Sequence, residues 1–186
     1  MDELAINIGT FGFVHFEKLP DIYLATTRHL HDWGIPVHFW FVGTIGEADQ
    51  QRIVETAGIL GLESYVHFSG RVSESKYCDY LLALDMAIQI RRPYFGQLSG
   101  ALLDCVSAGL PTVANTSLAE SIEAPSYVKR IKDHFTSINI AEACTEVLTS
   151  QDLSVRNHQD WGDYVEAHSF EKYAQQLISI AQTQRK

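Results

Sequence analysis

The chain has 186 residues, of which 46% are hydrophobic and 20% charged, as expected for one soluble domain that buries a proper core. Against 23 acidic residues stand 14 basic ones, a formal net charge of −9. No basic tract offsets it, which argues against nucleic-acid binding and requires that any anionic ligand be held by a local site.

The first predicted strand covers residues 4–8 and is stopped by Gly9. A glycine-containing loop follows, and Pro20 with Asp21 suits the first turn of a helix running to about Trp33. Residues 37–42 form a nearly continuous apolar strand, the pattern of a strand covered on both faces. A helix over 47–60 points Ile53, Ala57 and Leu60 inward, and residues 65–68 make the third strand. Ser73 caps a helix over 74–84 with Tyr77, Tyr80, Leu81 and Leu84 inward.

Residues 86–90 are the fourth strand, followed by a polar, basic loop and a helix that begins at Ser99-Gly100. A tight turn at Gly109-Leu110-Pro111 leads to a fifth strand over 112–114. Residues 116–126 read as surface loop and 127–131 as a short edge strand. Helices over 138–148, 153–167 and 170–181 complete the chain. Strands alternating with helices predict an α/β fold, a Rossmann-like doubly wound parallel sheet in a single domain.

Cys78, Cys105 and Cys144 are odd in number, lack Cys-x-x-Cys spacing and fall in predicted helices, so they read as buried free thiols in a reducing compartment. The longest apolar runs have strand length, and the expectation is a cytoplasmic protein with no membrane span of its own. The abrupt start predicts a piece of a longer chain. The histidine pairs His29 with His31 and His15 with His38 match no zinc spacing, and no metal site is expected.

In an open parallel sheet the loops at the carboxyl ends of the strands line one crevice. The first offers Gly12 and Lys18, a close backbone approach and a mobile point charge for a diphosphate, or simply a turn glycine and a solvated lysine. The third offers Gly70 and Arg71, placed for a base edge and phosphate, or a surface arginine after a turn. The fourth is the richest. Gln89, Arg91 and Arg92 sit at the strand end, and Gln97, Leu98, Ser99, Gly100 and Ala101 surround the helix start, where unpaired N–H groups favour phosphate. Asp104 lies one turn inside, suited to accept from ribose hydroxyls. No G-x-G-x-x-G follows the first strand, and no P-loop or G-x-S-x-G motif is present.

Several runs together resemble the carboxyl-terminal, donor-binding domain of GT-B glycosyltransferases of family 4 (glycosyl transferases group 1). Gly12-Phe-Val-His-Phe-Glu-Lys18 resembles the family's G-x5-K loop, Phe39-Trp-Phe-Val-Gly43 its second strand, and Val66-His-Phe-Ser-Gly70 its V-x-F-x-G. Ala83-Leu-Asp-Met-Ala87 resembles its A-x-D, with the acid at Asp85. Residues 102–114 resemble L-L-E-A-M-A-x-G-x-P-V-V-A, the most specific of the set.

The resemblance implies hexosyl transfer from a UDP- or GDP-sugar to a glycan or lipid-linked acceptor. It further implies no metal and no cofactor, retention of configuration and a role in polysaccharide biosynthesis. It also implies an amino-terminal acceptor domain, without which this chain is expected to bind donor and turn nothing over. The family's Glu-x7-Glu pair ends here at Asp104; counting back seven intervening residues lands on Gly96, and the nearest polar residue is Gln97, so the resemblance implies Gln97 and Asp104 as the candidate catalytic pair. The diphosphate arginine of many members is replaced by Phe13, leaving Arg71, Arg91 or Arg92 to supply the charge. Gln97 and Phe13 leave open a non-catalytic nucleotide-sugar-binding domain, and a sugar-nucleotide epimerase is a further alternative.

Overall fold

A computed structural model describes residues 5–15, 18–92, 98–150, 155 and 159–183. Its elements are β1 (Ile6–Phe11), α1 (Pro20–Asp32), β2 (Val37–Val42), α2 (Glu47–Ile59), β3 (Val66–Gly70), α3 (Glu74–Ala83) and β4 (Met86–Gln89). They continue as α4 (Gly100–Ser107), β5 (Thr112–Asn115), α5 (Thr116–Glu120), β6 (Lys129–Ile131), α6 (Ser137–Thr149), α7 (Gln159–Ala167) and α8 (Phe170–Thr183).

The six strands form one sheet in the order β3-β2-β1-β4-β5-β6, and every pairing is parallel. Strand order therefore reverses between β1 and β4, the position where a doubly wound sheet opens a crevice at its carboxyl edge. Side-chain alternation divides the core between the two faces. Ile8, Phe39, Phe41, Met86 and Ile88 pack with Tyr23 and Leu24 of α1, Ile53 of α2 and Ile140 of α6. Phe11, Val42 and Ala87 pack with Leu81 of α3 and Ala101 and Cys105 of α4 on the other face. All four residues of β4 and of β5 are buried, the polar Gln89, Thr112 and Asn115 included, as in strands covered on both faces.

The strand, helix and cap positions expected from the sequence are present, with instructive differences. β1 does not stop at Gly9 but runs on to Phe11. Gly9 is there for close packing: a Cβ would overlap Leu84 Cδ1 and lie 3.3 Å from the Trp40 carbonyl oxygen. The stretch expected to be loop after Asn115 contains the short helix α5, whose Leu118 and Ala119 are buried. Cys105 and Cys144 are buried free thiols, but Cys78 is exposed, on the outer side of α3. Leu4 of the first predicted strand, and residues 153–154 and 156–158 of the helix predicted over 153–167, lie outside the described residues. Tyr164 of α7 is buried and its hydroxyl donates to the Ile122 carbonyl at 2.9 Å. None of the described helices is long and apolar enough to cross a membrane.

Candidate functional site

The crevice is built where the loop after β1 meets the start of α4. Gly12 donates its N–H to the Val42 carbonyl, 2.9 Å away, which ties the loop to β2. A Cβ on Gly12 would lie 3.0 Å from Lys18 Nζ and 3.4 Å from Ala101 Cβ. Lys18 and Ala101 thus both converge on Gly12. Gly43, at the end of β2, completes the floor: it has φ +139°, and a side chain there would overlap the Gly12 carbonyl oxygen. It also bridges to Gly70 and donates its N–H to Ser69 Oγ at 3.0 Å. The loops after β1, β2 and β3 are therefore laced side by side, and Gly12 and Gly70 belong to one surface.

Lys18 is only 5% exposed and donates to the Phe11 carbonyl oxygen at 2.9 Å. Burial first, and then the positive charge of Arg91, lowers its pKa from 10.5 to about 8. The bland reading of a solvated surface lysine is thereby excluded. A buried ammonium is held at the end of β1 beside Gly12.

At the start of α4, Ser99 is buried and its Oγ accepts from the Leu102 N–H at 3.2 Å. This is a helix cap, with the serine side chain turned inward and Gly100 exposed at the first helical position. Ala101, Leu102, Cys105 and Val106 form the buried side of α4, so the helix is anchored and its first turn is fixed against Gly12. Asp104 is exposed, and one of its oxygens accepts from the Tyr77 hydroxyl at 2.9 Å. Gln97 lies outside the described residues.

The remaining candidates are more peripheral. Arg71, Arg92 and Leu98 are exposed, and Phe13 is exposed with its ring 5.6 Å from that of His15. Arg91 is half-buried, and its N–H donates to Asn115 Oδ1 at 3.0 Å. Gln89 is buried beneath the crevice, with Nε2 3.8 Å from Cys105 Sγ.

Sequence reasoning missed the residues that hold this site together. By its position on an inward helix face Tyr77 reads only as a packing residue. Tyr23 accepts from the Ile90 N–H at 3.3 Å through its buried hydroxyl, fixing the end of β4. Asn115 bonds Arg91 N, Ser117 Oγ and Asp133 Oδ1. Asn115 and Ser117 are near neighbours, but no spacing announces the Tyr23–Ile90, Asn115–Arg91 and Asn115–Asp133 pairs, which join elements brought together by the sheet order.

His29 lies 3.2 Å from Ser137 Oγ and His31 2.9 Å from the Val37 carbonyl, while His38 meets His67 at 2.7 Å across β2 and β3. Among the described residues no group of three or more histidine, cysteine or acidic side chains is disposed to hold a metal ion. A cavity of about 480 Å³ lined by Glu123, Ala167, His168, Phe170, Tyr173 and Gln176 contains none of the strand-end residues.

No protein-family model and no curated protein matches this chain. Solved structures do. One is the C-terminal domain of the glycosyl transferase group 1 family protein LpcC from Francisella tularensis, 15% identical with a TM-score of 0.70 over 88% of this chain and 85% of that one. A second is WaaG, a glycosyltransferase involved in lipopolysaccharide biosynthesis, 19% identical with a TM-score of 0.72 over 90% of this chain and 44% of that one. A third is Anabaena Alr3699/HepE in complex with UDP-glucose, 16% identical with a TM-score of 0.79 over 97% of this chain and 49% of that one. The chain spans less than half the length of the latter two. With its six parallel strands in this order and these matches over almost its whole length, the chain has the fold of a GT-B glycosyltransferase C-terminal domain.

Proposed function

We propose that this chain is the donor-binding domain of a glycosyltransferase that uses a UDP- or GDP-sugar. The observation that carries the reading is the convergence of Gly12, buried Lys18 and Ala101 with the Ser99-capped start of α4 at the reversal of strand order. The diphosphate is held by the free N–H groups of the first turn of α4 and by the Lys18 ammonium. Asp104 accepts from the ribose, and the Gly70–Arg71 turn flanks the base. That HepE has been solved with UDP-glucose in a chain of the same fold supports this class of ligand.

In the reaction the bond from the anomeric carbon to the phosphate oxygen breaks, an acceptor hydroxyl bonds to that carbon with retention, and its proton passes to the departing nucleoside diphosphate. Lys18 and the α4 dipole stabilise the charge that develops on the leaving phosphate. Gln97 serves as a hydrogen-bond partner to a donor hydroxyl where the family uses a carboxylate. The acceptor site, the polysaccharide role and the second domain follow from the family 4 resemblance. A second reading, a nucleotide-sugar-binding domain without turnover, is favoured by the identities of Gln97 and Phe13.

Calorimetric titration with UDP, GDP and ADP tests the binding site. One nucleotide is expected to bind wild type, and Lys18→Ala and Asp104→Ala are each expected to weaken it by about tenfold or more. Wild-type affinity in both variants, or no binding of any nucleotide, overturns the assignment.

A further inference from the structure

Tyr77 occupies a place that packing alone does not explain. It lies on α3, the helix that follows the Gly70–Arg71 turn, and its half-buried ring meets the fully buried Phe11 edge-on at a centroid distance of 5.5 Å. Phe11 is the residue whose carbonyl oxygen holds Lys18. The Tyr77 hydroxyl then reaches across to α4 and donates to Asp104 Oδ2 at 2.9 Å. One side chain thus links α3, the end of β1 and the acid of α4.

A carboxylate on an exposed helix position is free to rotate about two bonds, and an aspartate reaches one methylene less far than a glutamate. A donor aimed at one oxygen sets the plane of the carboxylate and still leaves the group further acceptor capacity. Burial and the adjacent Asp104 charge both raise the Tyr77 pKa above its ordinary value, so the phenol keeps its proton and remains a donor.

Resting on the donor-site reading, we propose that Tyr77 is a positioning residue that orients Asp104 toward the ribose hydroxyls, and so sets the preference for a ribonucleotide. It acts through Asp104 and not on the phosphates.

The test is calorimetry on the chain with whichever of UDP and GDP binds it, with the 2′,3′-dideoxy form of that nucleotide, and with inorganic pyrophosphate. Tyr77→Phe keeps the ring against Phe11 and removes only the hydroxyl, and thermal unfolding checks that the variant is folded. Wild type is expected to prefer the ribonucleotide by about tenfold, and Tyr77→Phe to lose most of that preference while binding pyrophosphate as wild type does. In an Asp104→Ala background, Tyr77→Phe is expected to have no further effect. An undiminished preference in Tyr77→Phe, an equal loss of pyrophosphate binding, or additivity with Asp104→Ala overturns the inference alone. Failure of wild type to bind any nucleotide overturns the donor-site reading and the inference with it.

Discussion

Lys18 shows how placement changes the chemistry of a single residue. Its folded-state pKa of about 8 lies below its ordinary 10.5 because burial and Arg91 both disfavour the ammonium. For a lysine lowered on folding, the unfolded chain binds more protons between those two values. The contribution of Lys18 to stability therefore rises with pH through this interval. Binding of a diphosphate, which draws on the ammonium, runs the other way. Nucleotide affinity is expected to fall by about tenfold between about pH 7 and 9, and the decline to vanish in Lys18→Met. Titrations across that range in wild type and variant measure it; an equally steep decline in the variant removes Lys18 from the site.

The elements around the crevice are held by polar contacts at their ends as much as by their apolar faces. Asn115, fully buried at the end of β5, accepts from Arg91 N at 3.0 Å and donates to Asp133 Oδ1 at 2.8 Å. Asp133 also accepts from the N–H and hydroxyl of Ser117, at 2.9 and 2.8 Å. Burial alone would raise the Asp133 pKa, but these hydrogen bonds outweigh it and the net shift is downward. The cluster couples the ends of β4, β5 and β6, so it sets where the loop carrying Arg91 leaves the sheet. Asn115→Ala is expected to cost about 1–3 kcal/mol in urea unfolding and to weaken nucleotide binding as well. Stability within about 0.5 kcal/mol of wild type would show that the cluster carries no such weight.

For the whole molecule, the question is whether the fold turns over its donor once an acceptor-binding half is present. Fused to the amino-terminal domain of a group 1 glycosyltransferase, Gln97→Glu is expected to raise donor hydrolysis about tenfold or more over wild type, since a carboxylate would support positive charge at the anomeric carbon. Equal rates, both well above background, would count against a degenerate site. The sequence already carried the class of fold, because period and length of the apolar runs distinguish covered parallel strands from helices. It was less reliable where local rules yield to packing, as at Gly9, which was read as a stop and is a strand residue pressed against Leu84.

By itself, then, the sequence determined the alternating elements, the Ser73 cap, and the candidate status of Gly12, Lys18, Ser99, Gly100 and Asp104. These depend on neighbours within a few positions. Only the tertiary structure decided that Lys18 and Ala101 both converge on Gly12, that Lys18 is buried, and that Tyr77 rather than a neighbour on α4 holds Asp104. Tyr77 and Asp104 are 27 positions apart, and nothing local specifies their contact. It arises because the order β3-β2-β1-β4-β5-β6 and the placement of α3 and α4 on one face of the sheet bring those two helices together.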